Sequence, residues 1–520
     1  MDVDWSEGAT RAFNWAFNAS HCPLSRVSEA PFPEKKLTPV ATPRNNVHAI
    51  QDKSAMNDVL ICGNFAQKRG KFRQILQILR SGVRSQYDRL ASTSSRLDMQ
   101  LYDSYGISPI AAQESVWLPK LVSHPDAHLA LLTTLFPQCL HIELIVFLCY
   151  YATAVLVLMP GTRIVRLAIL PLSLWIYAVA VTSCDPPKLF QDERFAYLNQ
   201  ARVLLYLLFA LRTIVWSFQP KHFWRVKSRA EITPELYDTS PPKVRTTQLL
   251  VDALDLCCNW RGCGWNWSRH IPLPHETRST KSTTTFAAAT VGSLLLHLII
   301  VDFSHYAMQW LAPSIAGSTK GASIFDAGLP PLTRYSKSTA LTLLSTAFIS
   351  CGEQAAYDSG TLIGVLVFRQ DMSLWPPLFQ APFLCTSITE FWGKGWHQLL
   401  RDTLTSVAGK PLSVPFGRLG GVVGAFLLSG LYHSLILWGS GRGTDFVRIT
   451  GFFVMCGVGI GLERMWRNLT GRRVCGWYGR VWGSVWMCGW AHIFVEAYAA
   501  RGVFGSIFIP PSFRLTTYLP

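Results

Sequence analysis

Eight stretches of the chain are predominantly apolar and long enough to cross a hydrocarbon layer as helices, and polar segments rich in arginine separate them. The first two, residues 144–159 and 167–184, are joined by a short basic link carrying Arg163 and Arg166. A third covers 202–218, and a polar stretch then runs to Thr283. The fourth covers 284–301. Residues 338–368 are interrupted by Glu353 and Asp358, a pattern that predicts one tilted helix or two shorter pieces. Residues 420–438, 449–461 and 481–495 complete the set, and neither 167–184 nor 420–438 carries a charged residue. The pattern predicts an all-α protein, a polytopic transmembrane helix bundle of about eight spans. No internal repeat is visible, which counts against a transporter built from inverted repeats.

Upstream of the spans the pattern is different. Residues 1–125 are polar, rich in serine, proline and charge, and lack a periodic apolar face, so a largely disordered tail is expected, dispensable for chemistry. Within it, 68–90 places Phe72, Ile75, Leu76, Leu79 and Val83 on one helical face ringed by Lys71, Arg73, Arg80 and Arg84. That segment reads either as a helix lying on the membrane surface or as one packed on its own domain. Residues 1–60 have no apolar core of signal-peptide length, so the first hydrophobic helix is expected to act as the targeting signal.

Composition strengthens this picture. Charged residues make up only 15% of the chain and hydrophobic ones 49%, against roughly 25% charged in soluble proteins, and the mean hydropathy is +0.21. The net charge of +16 could suggest nucleic acid, but the basic residues lie between apolar runs (Lys221 to Arg229, Arg467 to Arg480) and in the tail. That arrangement fits the positive-inside bias and contact with anionic lipid, and no nucleic-acid partner is expected. Arginine in the first, third, fifth and seventh links places those links in the cytosol, yet this sends the basic tail outside; the two rules conflict. The thirteen cysteines form no CxxC pair. Cys257, Cys258 and Cys263 cluster without the partner spacing of a zinc site, so neither a metal nor a disulfide framework is implied.

Ionisable groups at membrane depth are functional candidates by default. Three places stand out. Segment 387–401, just after Trp375-Pro-Pro-Leu-Phe379, gathers Glu390, Lys394, His397, Gln398 and Arg401 among Phe391, Trp392 and Trp396. On a helix Glu390, Lys394, His397 and Arg401 share one face, a polar stripe flanked by indoles that suits a buried anionic or amide-bearing ligand; an interfacial helix with aromatic anchors is the alternative. His433 lies in the middle of the uncharged run 420–438. It is either a satisfied core residue or a neutral imidazole able to take a proton from an alcohol near neutral pH. Arg261-Gly-Cys-Gly-Trp-Asn-Trp267 reads as a compact interface-bound turn or a structural lid.

Together and in this order, these segments resemble the fungal wax-synthase-like branch of the membrane-bound O-acyltransferase superfamily. Arg261, Gly262 and Trp265 resemble its arginine-glycine-tryptophan signature. Trp375 and Pro376, with Ser387 through Phe391-Trp392-Gly393, Trp396-His397-Gln398 and Arg401, resemble its central signature. His433 stands where the family carries its catalytic histidine, and Lys394-Gly395 stands where it often has two arginines. The likeness covers roughly residues 130–510.

The resemblance implies transfer of an acyl group from acyl-CoA to a hydroxyl. Acetyl-CoA is the expected co-substrate and a terpenoid or meroterpenoid alcohol the expected acceptor, in a multi-pass protein of the endoplasmic reticulum membrane. A lipophilic alcohol enters from the bilayer and CoA from the water, both meeting at a histidine within the bundle. On this reading His433 takes the hydroxyl proton, and His397 orients the acyl carbonyl or stabilises its developing charge. Lys394 and Arg401 contact CoA phosphates, with Glu390, Trp392, Trp396 and Gln398 lining the same site. No bound cofactor or metal is expected, because a thioester is already activated. A long-chain wax or sterol ester synthase is the alternative within acyl transfer, and a transporter the alternative outside it.

Overall fold

A computed structural model describes residues 136–190, 192–226, 246–268 and 271–518, all within one compact unit spanning Leu129–Pro520. The tail 1–125, with the amphipathic segment 68–90, lies outside the described residues. Nine helices of more than two turns frame the described chain: α1 (Phe136–Leu158), α2 (Arg163–Ser183), α3 (Ala196–Phe218), α4 (Thr246–Cys258), α5 (Thr283–Leu311), α6 (Pro331–Leu362), α7 (Lys410–Leu437), α8 (Phe446–Thr470) and α9 (Gly476–Ala499). All but α4 have at least 21 residues, and about 20 suffice to cross a bilayer. Six of them (α1, α2, α3, α5, α7 and α8) are both long and apolar enough to span. The other two reach the length but not the hydropathy: α6 carries Glu353 and Asp358, and α9 carries Glu496. The eight apolar stretches thus become eight long helices, and 338–368 is one helix, α6, continuing into a π turn at Ile363–Val367.

Three apolar cores hold the bundle together. Val146, Tyr150, Ala154, Tyr177, Tyr206 and Trp216 pack α1, α2 and α3 against each other and against Leu256 of α4. Val301, Met308, Leu341 and Phe348 join α5 to α6 and reach Val495 and Ala499 of α9. Val422, Phe426, Phe453, Cys456 and Ile460 join α7 to α8. Here the backbones approach closely: a Cβ at Gly430 would lie 2.7 Å from Cα of Thr450, the small-residue packing typical of helices in lipid. Before this pair the chain winds tightly through a π turn at Thr405–Gly409, and α7 is interrupted at Gly417, whose φ is +63°.

Each end of the bundle is knotted by buried side chains. At one end Arg442 donates to the carbonyl oxygens of Thr319, Gly502 and Glu193, tying together the links that follow α2, α5, α7 and α9. At this end too, Cys139 in the first turn of α1 is bonded to Cys184, the residue after α2. The cysteine pattern alone implies no disulfide; the pairing depends on two antiparallel helices bringing residues 45 apart in sequence to a Cα separation of 5.6 Å. The opposite end carries the arginine and tryptophan-proline motifs.

Candidate active site

The arginine motif is a clamp. Gly262 sits at φ +65°, and a Cβ there would meet Ser268 and Trp267 at 2.6 Å, so this turn requires glycine. The tight turn aims Arg261, only 3% exposed, across the bundle end. Its two terminal nitrogens donate to the carbonyl oxygens of Pro377 (2.8 Å) and Pro376 (2.6 Å) and to the Tyr357 hydroxyl of α6. Tyr357 in turn donates to the Pro376 carbonyl. A planar fork of donors fits two successive carbonyl oxygens. Trp265 donates to Asp255 and packs beneath, and Trp375 donates to Gln370 while its carbonyl receives Arg278. Arg261, Gly262, Trp265, Trp375 and Pro376 therefore form a brace that fixes the entry to the central motif.

The central motif is not one helix. Ser387 caps a single turn, Ile388–Glu390, by accepting from the Glu390 N–H, and the Glu390 carboxylate folds back to accept from the Thr386 N–H and hydroxyl. A π turn, Phe391–Gly395, follows, closed by the Trp396 N–H donating to the Phe391 carbonyl. The chain then leaves helical geometry at Trp396, and helix resumes only at Arg401. Glu390, Lys394, His397 and Arg401 thus do not share one helix face. The break has a visible cause: Gln398 donates to the Trp392 and Trp396 carbonyls, and Arg401 donates to the Gly393 carbonyl and to Gln398 Oε1. These bonds curl the segment back on itself.

That curl turns His397 inward. The ring lies against Phe379 and Trp396 and is 3.6 Å, through Nε2, from a carboxylate oxygen of Glu353 in α6. Burial first, then the proximity of His433 and of the Arg261 guanidinium, pushes the His397 imidazole down to about 3. The contact with Glu353 is therefore one between a neutral imidazole and a carboxyl group, not an ion pair of His⁺. Trp392 and Trp396 form an aromatic floor with Phe391 and Phe379, and Trp392 also meets Phe426 and Phe453. Lys394 sits half-buried at the end of the π turn.

His433 faces the same region from α7. Its ring stacks on Phe453 of α8 at 4.5 Å and meets Phe494 of α9 edge-on. Nδ1 lies 2.8 Å from the carbonyl oxygen of Ser429, one turn earlier. A carbonyl can only accept, so Nδ1 carries the proton and Nε2 holds the lone pair. Glu353, His397 and His433 are each half-buried. Glu353 is absent from the candidate residues read from the sequence. The signal was available, since it is an ionisable side chain inside an apolar run, as His433 is.

Glu463 of α8 is a second such residue. Its carboxylate accepts from the N–H groups of Ile388 (2.7 Å) and Thr389 (2.9 Å), the Thr389 hydroxyl and the Trp482 indole, so it holds the first turn of the central motif.

A match to a known family falls on this region. Residues 375–455, which contain both histidines and the π turn, match the model of the Membrane bound O-acyl transferase family. The chain is 34% identical over 113 residues to a probable long-chain-alcohol O-fatty-acyltransferase 9 of Arabidopsis thaliana, covering 20% of this chain and 33% of that protein. It is 28% identical to the acetyltransferase sirH of Emericella nidulans, over 35% of this chain and 42% of the relative. It is 31% identical to the O-Mevalon transferase yanI of Aspergillus niger, over 31% and 36% respectively. The matched parts thus cover between a third and about two-fifths of these relatives.

Proposed function

We propose, from a family match that falls on the site itself, that this protein is a membrane O-acyltransferase moving an acyl group from acyl-CoA to the hydroxyl of a lipophilic alcohol. The observation that carries the reading is the tautomer of His433. With Nδ1 donating to the Ser429 carbonyl, Nε2 offers a lone pair inside an otherwise apolar enclosure. There it takes the hydroxyl proton as the alcohol oxygen attacks the thioester carbon. The tetrahedral intermediate collapses by breaking the carbon–sulfur bond, and the proton on Nε2 passes to the departing thiolate, giving ester and free CoA. His397 supplies one hydrogen bond to the acyl carbonyl or to the group that orients it. Gln398 and Glu390 act by shaping the loop, since their polar atoms are engaged within it. Arg401 uses Nη1 in the same way, and Lys394 and Arg401 are both candidates for a CoA phosphate.

Acetyl-CoA is the donor we favour, with a terpenoid or meroterpenoid alcohol as acceptor, and the fungal relative named as an acetyltransferase supports the donor. The plant relative, named for long-chain fatty-acyl transfer, supports the other. Incubating microsomes that hold the protein with labelled acetyl-CoA or palmitoyl-CoA and a panel of polycyclic alcohols decides between them. Label entering an ester from acetyl-CoA faster than from palmitoyl-CoA is the expected result. The reverse order assigns the protein to long-chain ester synthesis, and no ester from either donor overturns acyl transfer.

A further inference from the structure

Among the described residues, several acidic side chains of this bundle are supplied with two or more donors. Glu463 accepts from four groups. Asp302 accepts from Arg514 and from the Thr516 N–H and hydroxyl, and Asp358 accepts from Ser293 and Gln354. Glu353 contrasts with these. Its Oε2 is buried with no hydrogen-bond partner, and so is Nδ1 of the neighbouring His397. A carboxyl group within a helix of spanning length is costly to enclose, and enclosing it without donors is costlier still. The molecule supplies donors to the carboxylates that serve as struts and leaves without one an oxygen of the carboxyl beside His397. Unmet polar atoms that persist beside a reaction site point to a role in the reaction.

We propose that Glu353 is a positioning residue for His397: its carboxyl group holds Nε2 of that ring and so fixes the ring's orientation and tautomer toward the acyl thioester. The proposal rests on the acyl-transfer reading. The present separation of 3.6 Å is beyond a hydrogen bond, and a shift of roughly half an ångström closes it, the kind of tightening that substrate binding brings to catalytic contacts. One hydrogen between Oε2 and Nε2, carried by either atom, then joins the two groups. That leaves Nδ1 as the nitrogen whose state is set by the partner of Nε2. The carboxyl of α6 thereby ties the central motif to the helix packed across from it.

The test is a kinetic cycle on the purified full chain in detergent, using whichever acyl-CoA and alcohol the wild type turns over, with thermal midpoints recorded for every variant. Glu353→Gln keeps a group able to donate to or accept from Nε2 and should hold kcat within about threefold of wild type. Glu353→Ala should lower kcat by about tenfold to a hundredfold with little change in KM for acyl-CoA. If the alanine variant does not accumulate, Glu353→Leu takes its place. The decisive comparison is Glu353→Ala combined with His397→Ala, which should be no slower than His397→Ala alone, because the carboxyl group then has no ring to position. Wild-type kcat in Glu353→Ala overturns the proposal, as do losses that multiply in the double variant. A wild type that transfers no acyl group overturns the underlying function instead, so the two failures are told apart.

Discussion

At His433 the direction of a single hydrogen bond decides what the ring can do. Because Nδ1 must donate to the Ser429 carbonyl, Nε2 is a proton acceptor before any substrate arrives. His433→Ala should therefore reduce acyl transfer by about 10² to 10⁴, the usual contribution of a positioned base, while acyl-CoA still binds. His433→Gln can repeat the bond to Ser429 but cannot take a proton near neutral pH, and it should be nearly as inactive. Initial rates on equal amounts of folded protein check both, and a glutamine variant with a tenth or more of wild-type turnover would make the ring structural. His397 is a different case, held neutral by burial and by the nearby His433 and Arg261. Its expected contribution is one hydrogen bond, so His397→Asn should retain more activity than His397→Ala, the gap reflecting about 1–3 kcal/mol. Equal rates for the two variants would instead indicate proton transfer by the ring. Both histidines are visible in the sequence by position alone, one inside an uncharged run and the other inside a dense aromatic-polar motif. Glu353 is visible by the same rule, but what separates it from Asp358, five residues on, is the donors that reach Asp358 from Ser293 of α5 and from Gln354 one turn earlier. No periodicity encodes that difference.

Between elements, the long-range contacts do what the local pattern cannot announce. The apolar stretches map onto long helices because bilayer thickness sets a length that composition alone reveals. The break at Trp396 is another matter. A helical reading of 387–401 follows from spacing, but the π turn slips the backbone bond by one residue, and Gln398 and Arg401 then fold the chain back. What anchors the start of this segment is Glu463, 75 residues downstream of Ile388. Glu463→Ala would leave four donors without their acceptor and should destabilise the protein by about 3 kcal/mol or more. Glu463→Gln keeps one acceptor oxygen and should recover part of that loss. Thermal unfolding in detergent measures both, and an unchanged midpoint in the alanine variant would show that the donors find other partners. Activity should fall with stability in this series, because the turn that Glu463 holds leads directly into His397.

Across the whole molecule, basic residues are unevenly divided between the two ends. In the links that follow α2, α5 and α7 they lie against acids of the same end: Lys188 with Asp185, Arg194 with Asp192, Lys337 with Asp326, Arg442 with Glu193, and Arg448 with Asp445. At the other end Arg418, Arg464, Arg467 and Arg473 lie close to one another. The positive-inside rule sends that crowded end to the cytosol, although the tail makes the rule ambiguous when it is read from sequence. The Cys139–Cys184 bond belongs to the opposite end, and a disulfide of this kind endures where no glutathione pool reduces it. Redox compartment and charge, two unrelated physical constraints, then select the same orientation. Trypsin added to sealed microsomes should cut at the exposed Arg472 and Arg473 and spare the exposed Lys320 until detergent is added; the reverse pattern would invert the protein. In this orientation the bilayer separates an oxidised cystine from the thiol that the proposed reaction would release: free CoA would leave toward a reducing solution, and the covalent tie between α1 and α2 stands on the far side, out of reach of thiol exchange.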